Sequence, residues 1–349
     1  RPLRAMASDS DILSKDISVF TPPTAYLAAS QQASGTRFGA DAIFNGTNRS
    51  RGAMITYFLK EGAPASKQKT NGDKAEEETS DDAEEGAEKT RKDEAASKDS
   101  VFVRIYEQDR LIRTLKYKTP DSAGLHRVYW RLDEAGPDRP SRTIQKRNRE
   151  PGGVDVRPGA YRVVVSLGEV KDETQLVVES DPRLDVTPAA IEARYTHAKK
   201  LDTYLQTSAD AVKQLVESKK VAESYAKDLK ALDKEKYEAQ IKASKEITTE
   251  IDSLLATFIG KEDKRQGITR NPEMTVTRRI YNAYGYVQSR PDGITSTEER
   301  LIEYAERDLK NALAETNAFF ANDWKSYQAE MEGLDLSPFK ETETFSLEK

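Results

Sequence analysis

Short apolar runs alternate with turn residues through the first half of the chain. They fall at 17–20, 53–59, 101–106, 111–117, 125–132, 160–167 and 174–178. Each is rich in Val, Ile, Tyr or Phe and bounded by Gly, Pro or Asp, the composition of β-strands. The run at 101–106 alternates with period two, so Val101, Val103 and Ile105 share one face and Phe102, Arg104 and Tyr106 the other. The runs at 101–106 and 111–117 read as a hairpin. Strands of this length and spacing predict an all-β sandwich of immunoglobulin/fibronectin type over 17–180. Two stretches interrupt it. Residues 62–100 hold no Ile, Leu, Val, Met or aromatic residue. They cannot bury enough apolar surface to offset their ordering entropy, which predicts a disordered insert. Residues 133–158, rich in Pro, Gly and Arg, read as a long exposed loop.

After Asp181-Pro182-Arg183 the period changes to that of helices. Thr187-Pro188 opens a first helix striped by Ile191, Tyr195, Ala198, Leu205, Val212 and Leu215. A second carries Tyr237, Ile241, Ile251, Leu254 and Phe258 and stops near Gly260. A third carries Val276, Ile280, Ala283 and Val287. A last one begins at a Thr295/Glu298 capping box and carries Leu301, Tyr304, Leu309, Leu313, Phe320, Trp324 and Tyr327. One apolar stripe on each predicts an antiparallel four-helix bundle over 181–338, followed by a tail at 339–349.

Charge sharpens this division. Residues 62–100 contain 12 of the chain's 60 acidic residues and 7 of its 55 basic ones, leaving 48 of each sign elsewhere. The net charge of −5 thus resides in the insert, and the remainder has no whole-molecule field to attract nucleic acid or anionic lipid. The absence of cysteine removes disulfides and thiol chemistry. No run is long and apolar enough to span a membrane. The opening Arg1-Pro2-Leu3-Arg4, without methionine, reads as the start of a fragment, with 1–16 the remnant of an upstream region.

Candidate chemistry is sparse. His126 falls in a strand and His197 on the first helix, and neither has the spacing of a metal site or a catalytic triad. Glu298, Glu299 and Glu306 read as solvated helix surface rather than as a glycosidase pair. Gly35, Gly39 and Gly46 match no phosphate-binding loop. Tyr281, Tyr284 and Tyr286 read as core packing against the last helix, and Trp130 and Trp324 as core residues. Asn45-Gly46-Thr47 and Asn48-Arg49-Ser50 fit the N-glycosylation pattern, and Asp121-Ser122-Ala123 a short O-glycosylation triplet or a plain turn. The expectation is therefore no catalytic residue, no cofactor-binding residue, no metal ligand and no cofactor.

Two sets of residues carry a family resemblance. Val103-Arg104-Ile105-Tyr106, Leu111-Ile112-Arg113-Thr114-Leu115, Gly124-Leu125-His126-Arg127-Val128-Tyr129-Trp130 and Arg157-Pro158-Gly159-Ala160-Tyr161-Arg162-Val163 resemble immunoglobulin-like domains of exported bacterial proteins. Arg1-Pro2-Leu3-Arg4, Val19-Phe20-Thr21-Pro22-Pro23, Arg51-Gly52-Ala53-Met54-Ile55-Thr56-Tyr57-Phe58-Leu59 and Asp181-Pro182-Arg183 extend it. Together they resemble the C-terminal region of large exported Bacteroidota proteins whose sortilin-like β-propellers are built of BNR (Asp-box) repeats. Those proteins are often labelled glycosyl hydrolases. The resemblance implies a periplasmic, cell-surface or secreted location. It also implies upstream propellers as partners in cis, another protein or a glycan as a further partner, and a non-catalytic accessory role, since the chain holds no Asp-box. The alternative is a carbohydrate-binding sandwich that uses Tyr129, Tyr161 and the 133–158 loop.

Overall fold

A computed structural model describes residues 2–28, 50–62, 99–144, 149–261, 273–289 and 291–334. Alternation of side chains builds the strands. In β3 (Ala53–Leu59), Ala53, Ile55, Tyr57 and Leu59 all turn inward and are buried. This strand lies between β1 (Ile17–Phe20) and β6 (Gly124–Trp130), antiparallel to both. A second sheet centres on β9 (Gly159–Leu167), flanked by β4 (Ser100–Glu107) and β10 (Val170–Glu179). Its edges are β5 (Arg110–Lys118), hairpinned to β4, and β2 (Ala25–Tyr26), which joins β10 in parallel. A two-stranded ribbon pairs β7 (Asp133–Ala135) with β8 (Gly152–Asp155).

The inward faces meet in one buried cluster that includes Ile55, Tyr57, Val103, Ile105, Trp130, Tyr161, Val163, Val165 and Leu176. Residues Val103 and Ile105 sit opposite Val165 and Val163 in the β4–β9 register, so one β-branched ladder runs through the centre of the larger sheet. A part-buried hydrogen bond joins the sheets, where the Val19 amide donates to Asp172 Oδ2 at 2.8 Å.

The helices follow the 3.6-residue stripes. Helix α1 (Pro2–Ser8) is short. Helix α2 (Pro188–Asp233) runs 46 residues, about 69 Å at 1.5 Å per residue, because after Pro188 no Pro or Gly interrupts it. Helix α3 (Glu238–Ile259) ends at Gly260, whose φ of 81° suits glycine. Helices α4 (Val276–Ser289) and α5 (Ser296–Phe319) follow, then a π turn (Phe320–Trp324) and α6 (Lys325–Glu332). Thr295 and Glu298 form the expected capping box.

The chain divides into two units. The first comprises Arg1–Pro137, Lys146–Asp202 and Val287–Ile294; the second Asp138–Gln145, Thr203–Tyr286 and Thr295–Lys349. In the second, α3 packs on α5 and α6, burying Ile247, Ile251, Leu255, Leu309 and Met331. Ion pairs and hydrogen bonds add register: Lys219 to Asp252 at 2.7 Å, Tyr204 to Glu306 at 2.6 Å, and Ser244 to Tyr327 at 2.9 Å. Phe319, Phe320, Trp324 and Tyr327 stack around the π turn with centroids 5.1–6.3 Å apart.

This architecture corrects the expected all-β immunoglobulin/fibronectin-like sandwich followed by an antiparallel four-helix bundle. About 50% of the described residues are helical and 24% strand, and the five-stranded sheet is mixed. Its parallel edge, β2, is only two residues long, too short for any periodicity to register. The stretch 133–158 contains two strands that pair with each other. The helices are 46, 22, 14 and 24 residues long, so a 14-residue element cannot run the length of a 46-residue one as a bundle partner. Apolar stripes show which face of a helix is buried and leave its partner open. The disorder expected of 62–100 and the tail at 339–349 lie almost wholly outside the described residues.

One glycine is dictated by geometry. At Gly52, φ is 106°, and a Cβ there would lie 2.1 Å from the Trp130 carbonyl oxygen. The G52A variant should therefore lose about 2 kcal/mol of stability or more, from left-handed strain plus the displaced β3–β6 register. A urea melt followed by Trp130 fluorescence measures it as a lowered midpoint.

Candidate functional site

The densest convergence of charged side chains in the first unit starts from two aromatic residues. Trp130 is fully buried and meets Tyr161 edge-on, with centroids 5.5 Å apart. Each ring is anchored by its polar end: Trp130 Nε1 donates to the Asp133 carbonyl at 2.8 Å, and the Tyr161 hydroxyl to the Arg157 carbonyl at 2.6 Å. Between Trp130 and Asp133 the chain turns at Leu132, a buried residue at φ 65°. A left-handed leucine costs about 1 kcal/mol, offset here by its burial and by the hydrogen bond from the Val156 amide to its carbonyl at 2.8 Å. The corner turns Glu134 inward, and the Tyr161 anchor holds Arg157 beside it.

Glu134 is 4% exposed and accepts from four donors. Arg110, at the β4–β5 turn, binds it in a bidentate fork at 2.8 and 3.1 Å. Two residues from the first turns of α2 complete the shell, the Tyr195 hydroxyl at 2.6 Å and Lys199 Nζ at 3.2 Å. A second bridge lies alongside. Arg157 donates to Glu107 at 2.8 Å and to Glu192 at 3.0 Å, with its guanidinium 4.4 Å above the Tyr195 ring. Arg110 also donates to Glu107 at 2.5 Å. Three carboxylates thus face three cations, and together they fasten the start of α2 to the sheets.

These contacts set the proton affinities. Burial pushes the Glu134 carboxyl up, but the hydrogen bonds from Arg110 and Tyr195 and the charge of Lys199 outweigh it and hold the group at about 2. Glu107 is likewise held below its ordinary value: burial raises it, and hydrogen bonds from Arg110 and Arg157 prevail. Burial and the bond to Glu134 push Tyr195 up to about 12. A general acid or base works best with a proton affinity near the working pH. Glu134, ionised with its lone pairs filled, and Tyr195, firmly protonated, serve as a clamp and not as a proton relay.

The residues singled out from sequence disperse. His126 Nε2 lies 2.9 Å from the Ser122 carbonyl and its ring 5.7 Å from Tyr57, while His197 Nδ1 lies 2.7 Å from the carbonyl of Ala193 in its own helix. Glu298, read as solvated surface, is buried at the α5 cap, where it accepts from the Thr295 amide at 2.9 Å. Glu306 pairs with Lys310 and accepts from Tyr204, and Glu299 stays exposed. Tyr281 and Tyr286, read as core, are exposed, while Ile280, Ala283 and Val287 form the buried stripe expected of this helix. Trp324 is half-buried. Tyr129 is exposed and Tyr161 buried, so the two form no common surface. Asp121-Ser122-Ala123 is an exposed turn before β6. Gly35, Gly39, Gly46 and the first glycosylation pattern lie outside the described residues, as does all of the second except Ser50.

Sequence reasoning missed Glu134, Arg110, Arg157, Tyr195 and Lys199. The one available signal was Arg157-Pro158-Gly159-Ala160-Tyr161, where a tyrosine four residues after an arginine can bond back to its carbonyl. Among the described residues no helix is long and apolar enough to cross a membrane, and no group of three or more His, Asp or Glu side chains is arranged to hold a metal ion. Comparison with known proteins finds no family model, no curated protein and no solved structure that matches the chain.

Replacing Glu134 by Gln leaves Arg110 and Lys199 facing a neutral amide and should cost about 3 kcal/mol. The cost should depend on pH. The folded-state value of about 2 lies below the ordinary 4.5, so the stabilisation is complete above about pH 4.5 and disappears as pH falls through about 2. Urea melts of the wild type and E134Q between pH 7 and pH 2 should converge at the acid end.

Proposed function

We propose that this chain is a non-catalytic accessory and interaction region of a larger exported protein, located in the periplasm, at the cell surface or outside the cell. In this reading it packs on or positions β-propellers of the sortilin-like, BNR-repeat type in cis, and any glycosyl hydrolase-like chemistry belongs to those propellers. The observation that carries the proposal is the saturation of Glu134. Around it, Glu107, Glu134 and Glu192 are each paired with a cation, and the hydrogen bonds from those cations hold Glu134 and Glu107 below their ordinary proton affinities. Such an arrangement stabilises a scaffold.

The residues behind the family resemblance support the same reading, because their roles in the fold are structural. Trp130 and Tyr161 fill the core, and Gly52 permits the approach of β3 to β6. The carbohydrate-binding alternative draws less support. A sugar platform needs rings exposed side by side, whereas Tyr161 is 2% exposed and residues 133–158 contain no aromatic side chain.

Two measurements test the proposal. The purified chain should turn over no substrate in a panel of aryl glycosides and oligosaccharides. Turnover would overturn it, and loss of that turnover in a folded E134Q variant would place the chemistry at Glu134. In the protein isolated from its own cells, chemical cross-links from the lysines of this chain should run to β-propeller segments of the same polypeptide. Cross-links to no such segment would sink the positional part of the proposal.

A further inference from the structure

Beside the clamp, the first unit holds a recess of about 550 Å³. Its floor is aliphatic. Val154 and Val156 are each 3% exposed and Ala198 is 2% exposed, with Ile191 alongside. Its wall carries Arg51, Arg183 and Arg194. Two of these have their own counter-charge: Arg51 pairs with Asp155 at 3.0 Å and Arg183 with Asp181 at 2.6 Å. Arg194, half-buried on the second turn of α2, has neither hydrogen bond nor ion pair among the described residues. Its nearest charged neighbour in sequence, Glu192, is already engaged by Arg157.

A guanidinium carries five N–H donors in a rigid fork and cannot shed its charge. Set in a concave site above an aliphatic floor, it matches a planar monoanion attached to an apolar group. One unmatched positive charge suits a carboxylate better than a phosphate dianion. The floor discriminates further. Sugar rings stack on aromatic faces, but the Tyr195 ring that reaches this recess is covered by the Arg157 guanidinium. Valine, isoleucine and alanine instead complement aliphatic side chains. From these features we infer that the recess docks an extended segment of a partner protein, in which an aspartate or glutamate flanked by aliphatic residues places its carboxylate on Arg194. This deepens, and rests on, the accessory binding role proposed above. The volume accommodates a few residues of such a segment.

The test uses the full chain and a fluorescein-labelled pentapeptide, Val-Leu-Glu-Leu-Val, with a matched peptide carrying Gln at the centre and digalacturonate as a competing sugar acid. Fluorescence polarisation should show the Glu peptide binding at least about tenfold more tightly than the Gln peptide. R194A should weaken the Glu peptide by a similar factor while leaving the urea midpoint unchanged, and R194K should restore part of the binding. Absence of binding, equal binding of the two peptides, or indifference to R194A at an unchanged midpoint overturns the inference. So does digalacturonate displacing the peptide more effectively than unlabelled peptide does, which would assign the recess to a glycan. Any of these results with a chain that turns over no glycoside leaves the accessory reading standing. Glycoside turnover defeats that reading whatever the peptides do.

Discussion

The edge-on packing of Trp130 against Tyr161 is the contact on which the first unit depends. Each ring is large, buried and tethered at its polar end to the backbone of a neighbouring corner. Because the tethers are hydrogen bonds to the Asp133 and Arg157 carbonyls, the core does more than exclude water. It places the two corners from which Glu134 and Arg157 emerge. An aromatic pair with no polar anchors would contribute comparable burial and leave those side chains unplaced.

The charged cluster built on that foundation explains how a sheet and the start of a 46-residue helix stay together. Burying Glu134 alone would be expensive, since desolvation of a carboxylate costs several kcal/mol. Arg110, Tyr195 and Lys199 offset the cost because they arrive from two elements and fill separate lone pairs. The same satisfaction removes the cluster from proton chemistry. A carboxylate that has found all its donors has no vacancy for a substrate proton, so the strength of the clamp and its lack of acid–base reactivity have one cause.

Arg194 is the counterpoint. It lies one residue before Tyr195 on the same helix, yet faces a recess where the available carboxylates are already taken by Arg51 and Arg183. The paired groups of the clamp fasten the scaffold, while Arg194, without an ion pair among the described residues, faces the recess. A surface for binding can thus arise next to a structural clamp without any change of residue type, through the pairing arithmetic of the neighbours alone.

By itself, the sequence determined where local structure forms. Short apolar runs placed β3, β4 and β9, with period-two alternation legible in β4, and the capping box at Thr295 and the glycine at 260 marked helix ends, because these depend on neighbours a few residues away. The core role of Trp130 was legible for the same reason: a large apolar side chain at an inward position of a strand has little alternative. Tertiary structure alone decided the rest. The parallel pairing of the two-residue β2, the exposure of Tyr281 and Tyr286, and the burial of Glu298 all depend on which surface happens to lie opposite. The clamp was illegible because Glu107, Arg110, Glu134, Arg157, Tyr195 and Lys199 are spread over 93 positions, and charged residues on a polar chain look alike until folding selects which of them meet away from water.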